Sequence, residues 1–146
     1  MRAEPILASR LVGTWRLVDW TISADDGSVR RPYGEQPDGL LSYTADGHMQ
    51  VNIAARDRAP VLAAASTDAE RRDRAFLSYF AYGGTWTVAG ADVMHRVETA
   101  LVQGLVGTNQ VRRADLDGTA LALSADAVSA TTGRTVRHVL RWRRAG

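Results

Sequence analysis

The 146-residue chain contains no cysteine. That excludes thiol catalysis, iron–sulfur clusters and cysteine-bound zinc, and it is neutral about compartment. Lysine is absent too: all 18 basic residues are arginine, against 16 acidic ones. A net charge of +2 sets up no strong field for nucleic acid. The pairs Arg30/Arg31, Arg71/Arg72, Arg112/Arg113 and Arg143/Arg144 are scattered rather than gathered into one basic stripe, so nucleic acid is not an expected partner. Long apolar runs are missing as well. Met1-Arg2-Ala3-Glu4-Pro5 opens no signal-peptide core, and Ala59 to Ala65 is too short to span a bilayer. The expectation is a soluble cytoplasmic protein without a membrane partner. No GxGxxG, P-loop or GxSxG pattern occurs, and Gly83-Gly84 is not followed by lysine. His48, His95 and His138 show no i,i+2 or i,i+4 spacing, so neither a metal site nor a cofactor is expected.

What is present fits one domain over residues 1–146. Hydrophobic residues make up 45% and charged ones 23%, an ordinary globular composition, and this length buries enough surface for a core plus one small cavity. Leu11 to Ile22 alternates as a long strand, with Trp15, Leu17 and Asp19 on one face and Arg16, Val18 and Trp20 on the other. Asp25-Asp26-Gly27 marks a turn, and Ser28 to Tyr33 reads as a return strand stopped by Pro32. Gly39–Thr44 and His48–Ala54 flank Ala45-Asp46-Gly47, a hairpin signal. Residues 55–66 read as a loop into a helix. Thr67-Asp68-Ala69-Glu70 is a capping box, and Phe76, Leu77 and Phe80 give the helix over about 67–81 an apolar face, with Gly83-Gly84 ending it.

Strands then resume: Thr85–Ala89, Val93–Val102, Val106–Leu116, Ala120–Ser124 and Arg134–Arg143, the last with Val136, His138, Leu140 and Trp142 on one face. Eight to ten short antiparallel strands linked by tight turns make a meander. Its simplest solution is an all-β up-and-down barrel. Eight strands leave room for one small ligand inside, and the single helix is expected to cover one mouth.

Several segments resemble the bacterial lipocalin-like domain family of small calycin-type barrels. They are Gly13-x-Trp15, Pro32-Tyr33-Gly34, Gly39 to Met49, Tyr79-x-x-Tyr82-x-Gly84-Thr85-Trp86, His95-x-Val97-Glu98, Val106 to Arg112 and Leu140-x-Trp142-Arg143. The likeness covers about Leu11 to Arg143. The resemblance implies structural roles for Gly13 and Trp15, with the tryptophan packing across the closed end under a late-strand arginine, Arg141 or Arg143. It also implies a ligand cavity. Similar small barrels act as cofactor-free cyclases in natural-product pathways, so the resemblance permits catalysis without requiring it. The Thr-Asp-Tyr motif of secreted lipocalins is absent; Thr108-Asn109-Gln110 does not replace it.

Period-2 geometry aligns Gln110 with Arg112, and an antiparallel neighbour can bring Glu98 opposite them. Facing the lumen, that trio would anchor a carbonyl or enolate oxygen; facing out, it is a structural ion pair or solvated charge. Alternation sets His95 on the face opposite Glu98, so both line the lumen only if a bulge intervenes. His95 is either a proton-transfer group or a hydrogen-bonded core residue. The candidate catalytic residues are Glu98, Arg112 and His95. Candidate ligand contacts are Gln110, Tyr43, Tyr79, Tyr82, Trp86 and Met49, where tyrosine hydroxyls and apolar side chains would shape a pocket. Three functions remain open. One is a cofactor-free cyclase or isomerase of a polyketide-type precursor, one a carrier of a small hydrophobic molecule, and one a solid barrel with an interaction surface. A monomer or homodimer suits each.

Overall fold

The computed structural model describes Ile6 and residues 8–146. Nine strands follow in chain order: β1 (Gly13–Ala24), β2 (Val29–Arg30), β3 (Asp38–Tyr43), β4 (His48–Ala54), β5 (Tyr79–Ala89), β6 (Asp92–Ala100), β7 (Asn109–Asp117), β8 (Ala120–Val128) and β9 (Thr135–Arg144). From β3 to β9 each strand pairs antiparallel with the next. β1 pairs with β3 on one side and β9 on the other, so eight strands close into a barrel. Closure removes the edges that would otherwise pair with other chains. The return strand after the first turn shrinks to β2, which meets Ile22 and Ser23 of β1. The chain leaves the sheet before Pro32, which has no N–H for a ladder. Short helices α1 (Ala8–Leu11), α2 (Arg58–Ala63) and α3 (Asp68–Leu77) complete the described chain with a 3-10 turn at Gln103–Leu105. None of these helices is long and apolar enough to cross a membrane.

α3 starts where its capping box sets it: Glu70 N–H donates to Thr67 Oγ1 at 3.1 Å, and Glu70 Oε2 accepts from Ser66 N–H at 2.8 Å. It ends at Leu77, earlier than the apolar spacing predicts. Phe76 and Leu77 are exposed, and no residue of the helix is buried. From Tyr79 onward the chain pairs with β4 instead. Phe80, Tyr82, Gly84 and Trp86 recur at period 2, so the i,i+4 relation of Phe76 to Phe80 was coincidental with a strand pattern. Gly83-Gly84 lies inside β5 and ends no helix. α2 and α3 join β4 to β5 at the end of the barrel opposite α1. None of their residues lines the lumen cavity.

The other end is closed by Trp15, which is fully buried. Its indole N–H donates to the Leu11 carbonyl at 3.0 Å. The arginine above it is Arg144, not Arg141 or Arg143: its guanidinium lies 4.2 Å from the ring centroid and donates to the Val12 and Arg10 carbonyls. The inward series of β9 through Leu140 and Trp142 reaches Arg144 next, whereas Arg141 and Arg143 point to solvent. Gly13, at φ +134°, leaves room for it; a Cβ there would sit 2.7 Å from Arg144 Nη1. Arg144→Ala is expected to lower unfolding free energy by about 2 kcal/mol through lost charged hydrogen bonds and cation–π contact. Arg141→Ala and Arg143→Ala should stay within about 0.5 kcal/mol of wild type as surface changes. Urea unfolding of the three variants checks the assignment.

Candidate functional site

The inner face of the barrel divides into a packed floor and a cavity. Trp15, Tyr43, Met49, Trp86, Val93 and Leu121 are all buried and fill the closed half. Toward the open end a cavity of about 330 Å³ remains, near the lower limit for small-molecule pockets. Much of its wall is apolar, with Leu41, Ile53, Phe80 and Leu140 among the lining. Its polar groups are Tyr82, His95, Gln110, Arg112, His138 and, near the strand ends, Asp126.

Strand pairing brings the central polar groups together. On β6, Val93, His95 and Val97 are buried. His95 faces Gln110 and Val93 faces Arg112 on β7. Two tyrosines clamp the imidazole: Tyr43 Oη of β3 lies 2.6 Å from Nε2, and Tyr82 Oη of β5 lies 2.6 Å from Nδ1. Burial, reinforced by the Arg112 charge, lowers the His95 pKa to about 3. Burial raises the Tyr82 pKa to about 12 and pushes Tyr43 well above its ordinary value. At pH 7 all three groups are therefore neutral.

A neutral imidazole carries one N–H and one bare nitrogen, so one tyrosine donates to it and the other accepts. Tyr43 has no second hydrogen-bond partner among the described residues, and an unplaced hydroxyl in the core costs about 1–3 kcal/mol. The arrangement that satisfies it has Tyr43 O–H donating to Nε2 and Nδ1–H donating to Tyr82 Oη. The Tyr82 proton is then free for the lumen.

Arg112 lies beside this clamp. Its Nη2 donates to Gln110 Oε1 at 3.1 Å, and its Nη1 donates to the Val111 carbonyl at 3.0 Å. Gln110 Nε2 donates in turn to Thr108 Oγ1 at 2.9 Å. Among the described residues no carboxylate oxygen comes within 4.0 Å of Arg112. Elsewhere in the wall, Trp20 Nε1 donates to His138 Nδ1 at 3.3 Å. Burial, then Arg112 and Arg30, lowers the His138 pKa. The buried Trp142 indole N–H has no partner among the described residues.

The expected trio of Glu98, Gln110 and Arg112 does not form. Gly83 pairs with Thr99 and Gly84 with Val97, leaving Glu98 unopposed in a bulge. The bulge turns both Glu98 and Thr99 outward while Val97 and Ala100 face in. Glu98 instead borders an open outer depression of about 620 Å³ across β4–β6, where Gly83 and Gly84 present no side chains. Tyr79 borders that depression too, with the Arg58 guanidinium 5.4 Å from its ring centroid. Tyr43, Trp86 and Met49 belong to the floor rather than to the cavity wall. Trp86 lies 4.7 Å from Tyr43 by ring centroids and donates its N–H to the Thr44 carbonyl.

Gln110, Arg112, His95 and Tyr82 do line the cavity. Sequence reasoning missed Trp20, Phe80, His138 and Trp142 as cavity residues. A second bulge explains Trp20: Leu17 pairs with Trp142 and Asp19 with Arg141. Val18 is thereby left unopposed, and Trp20 moves to the inner face while Asp19 moves out to Arg31. The alternation of Val136, His138, Leu140 and Trp142 was the available signal for the β9 wall.

Residues 12–145 match the family model described as a lipocalin-like domain. No curated protein and no solved structure is significantly similar to the chain.

Proposed function

The chain belongs to the lipocalin-like domain family, and from that premise we propose that its lumen takes up a small hydrophobic molecule and acts on it as a cofactor-independent cyclase or isomerase. The substrate would be a natural-product precursor of polyketide type. The observation that carries this reading is an apolar cavity lined by the Tyr82 hydroxyl, bonded to His95, and by the Arg112 guanidinium, bonded to Gln110. Apolar walls hold a flexible precursor in a folded conformer, and such preorganisation removes part of the activation entropy. A carbonyl oxygen set against the Tyr82 hydroxyl and the Arg112 guanidinium is polarised as charge develops on it. His95 then acts as a positioning residue. Clamped and neutral, it orients Tyr82 and is no acid or base near neutrality.

A carrier is the second reading. It is favoured because the lumen bases are occupied among the described residues: His95 by two tyrosines, His138 Nδ1 by Trp20, and Asp126 by Arg137. Metabolites of the host with and without the gene separate the two. An enzyme leaves an uncyclised precursor that the purified protein converts without added cofactor. Tyr82→Phe should then lower kcat about 100-fold, the scale of losing one oxyanion donor, with circular dichroism unchanged. Unaltered ligand recovered from the protein, with no precursor accumulating, would replace the enzyme by the carrier.

A further inference from the structure

Building on lumen binding as read above, we propose that the ligand is a compact acid, whose carboxylate or enolate oxygen is bound by Arg112 beside Tyr82. Arg112 is half-buried in a largely apolar wall. Of the five N–H groups of a guanidinium, two are bonded, one to the Val111 carbonyl and one to Gln110 Oε1. The carboxylate nearest by strand alternation, Glu98, is turned outside by its bulge. Asp126 borders the cavity but is exposed and held by Arg137 Nε at 2.9 Å. A positive charge in such a wall is costly without an anion.

The remaining lumen groups supply no counter-charge. His95, Tyr43 and Tyr82 are neutral, and the His138 pKa is pushed down by burial. The Arg112 charge is also one of the influences on all four, as expected of a cation central to the lumen. Hydrogen-bond stoichiometry points the same way. The acceptors Gln110 Oε1, His138 Nδ1 and His95 Nε2 are each engaged, whereas Tyr82 O–H and the Arg112 fork have donors to spare. A site with spare donors fits a ligand end that only accepts, and an ionised carboxylate or enolate is such a group. The cavity of about 330 Å³ suits a one- or two-ring acid better than a long-chain lipid.

The test compares 2-naphthoate with 2-naphthamide, its neutral isostere, by titration calorimetry on the full chain at pH 7.5 and low salt. Wild type is expected to bind the acid about 30-fold more tightly, the scale of one charged hydrogen-bonded contact. Arg112→Met should erase that preference, the acid falling to the affinity of the amide. Equal binding of acid and amide by wild type would overturn the anion assignment and leave lumen binding standing. So would a preference that survives in Arg112→Met. Failure of both probes to bind wild type would overturn lumen binding along with it. The wild-type comparison needs no variant, so poor folding of Arg112→Met does not rescue the proposal.

Discussion

Lowering the pH from 7.5 to 4.5 is expected to cost the barrel about 3 kcal/mol of unfolding free energy through His95 alone. In the unfolded chain the imidazole takes a proton near 6.5, its ordinary value; in the barrel it stays neutral until about 3. Between those values the unfolded state binds more protons, so stability rises with pH. The contribution is fully present above 6.5 and is lost progressively as pH falls toward 3. The structural reason is burial of the ring, reinforced by the Arg112 charge; protonation also gives both ring nitrogens an N–H and takes the acceptor from Tyr43.

Urea midpoints measured from pH 7.5 to 4.5 should show a slope near 1.4 kcal/mol per pH unit at the acid end. His95→Gln should lose that slope and be less stable at pH 7.5 by about 2 kcal/mol, with tyrosine hydroxyls left short of partners. His138 contributes with the same sign, because burial lowers its pKa as well. Asp26, Asp46 and Asp126 have pKa values lowered mainly by side-chain hydrogen bonds, and all three titrate in both proteins. The difference between the two slopes therefore isolates His95. An identical slope in His95→Gln would show that the buried ring is not its source.

Gly84→Ala is expected to be the most damaging small substitution in the barrel wall. A Cβ at Gly84 would lie 1.8 Å from the Arg96 carbonyl oxygen, which is backbone of the neighbouring strand. The β5–β6 ladder would have to open, adding lost hydrogen bonds to overpacking. The expected cost is more than about 3 kcal/mol, or failure to fold. Gly83 is the internal control. Its added Cβ meets the Met49 carbonyl oxygen no closer than 3.3 Å, so Gly83→Ala should cost about 1 kcal/mol or less. Soluble yield and urea unfolding of the two variants measure the contrast. Similar stabilities would mean that the wall at the bulge yields easily and that Glu98 is free to turn.

The contrast between adjacent glycines also marks how far the sequence could be read. Gly-Gly after an apolar cluster carries the same local signal for a helix end as for a strand pressed against its neighbour. Only pairing with β4 and β6 distinguishes them. Arg144 shows the same limit in milder form. Alternation from Trp142 reaches it in two residues, but the arginine directly after the tryptophan is nearer in the chain and points outward.

Local chemistry by itself determined the meander, its hairpins, the start of α3, and the pairing of Gln110 with Arg112 on one strand face. These follow from periodicity, turn chemistry and capping, all of which act within a few residues. The tertiary structure decided which face became the lumen, because bulges at Val18 and Glu98 shift alternation by one residue and each is defined only against a partner strand. It alone brought Tyr43, Tyr82 and His95 into one clamp, since residues 43, 82 and 95 meet only when the barrel closes. Burial then set their protonation, and burial belongs to the packed chain rather than to any segment of it.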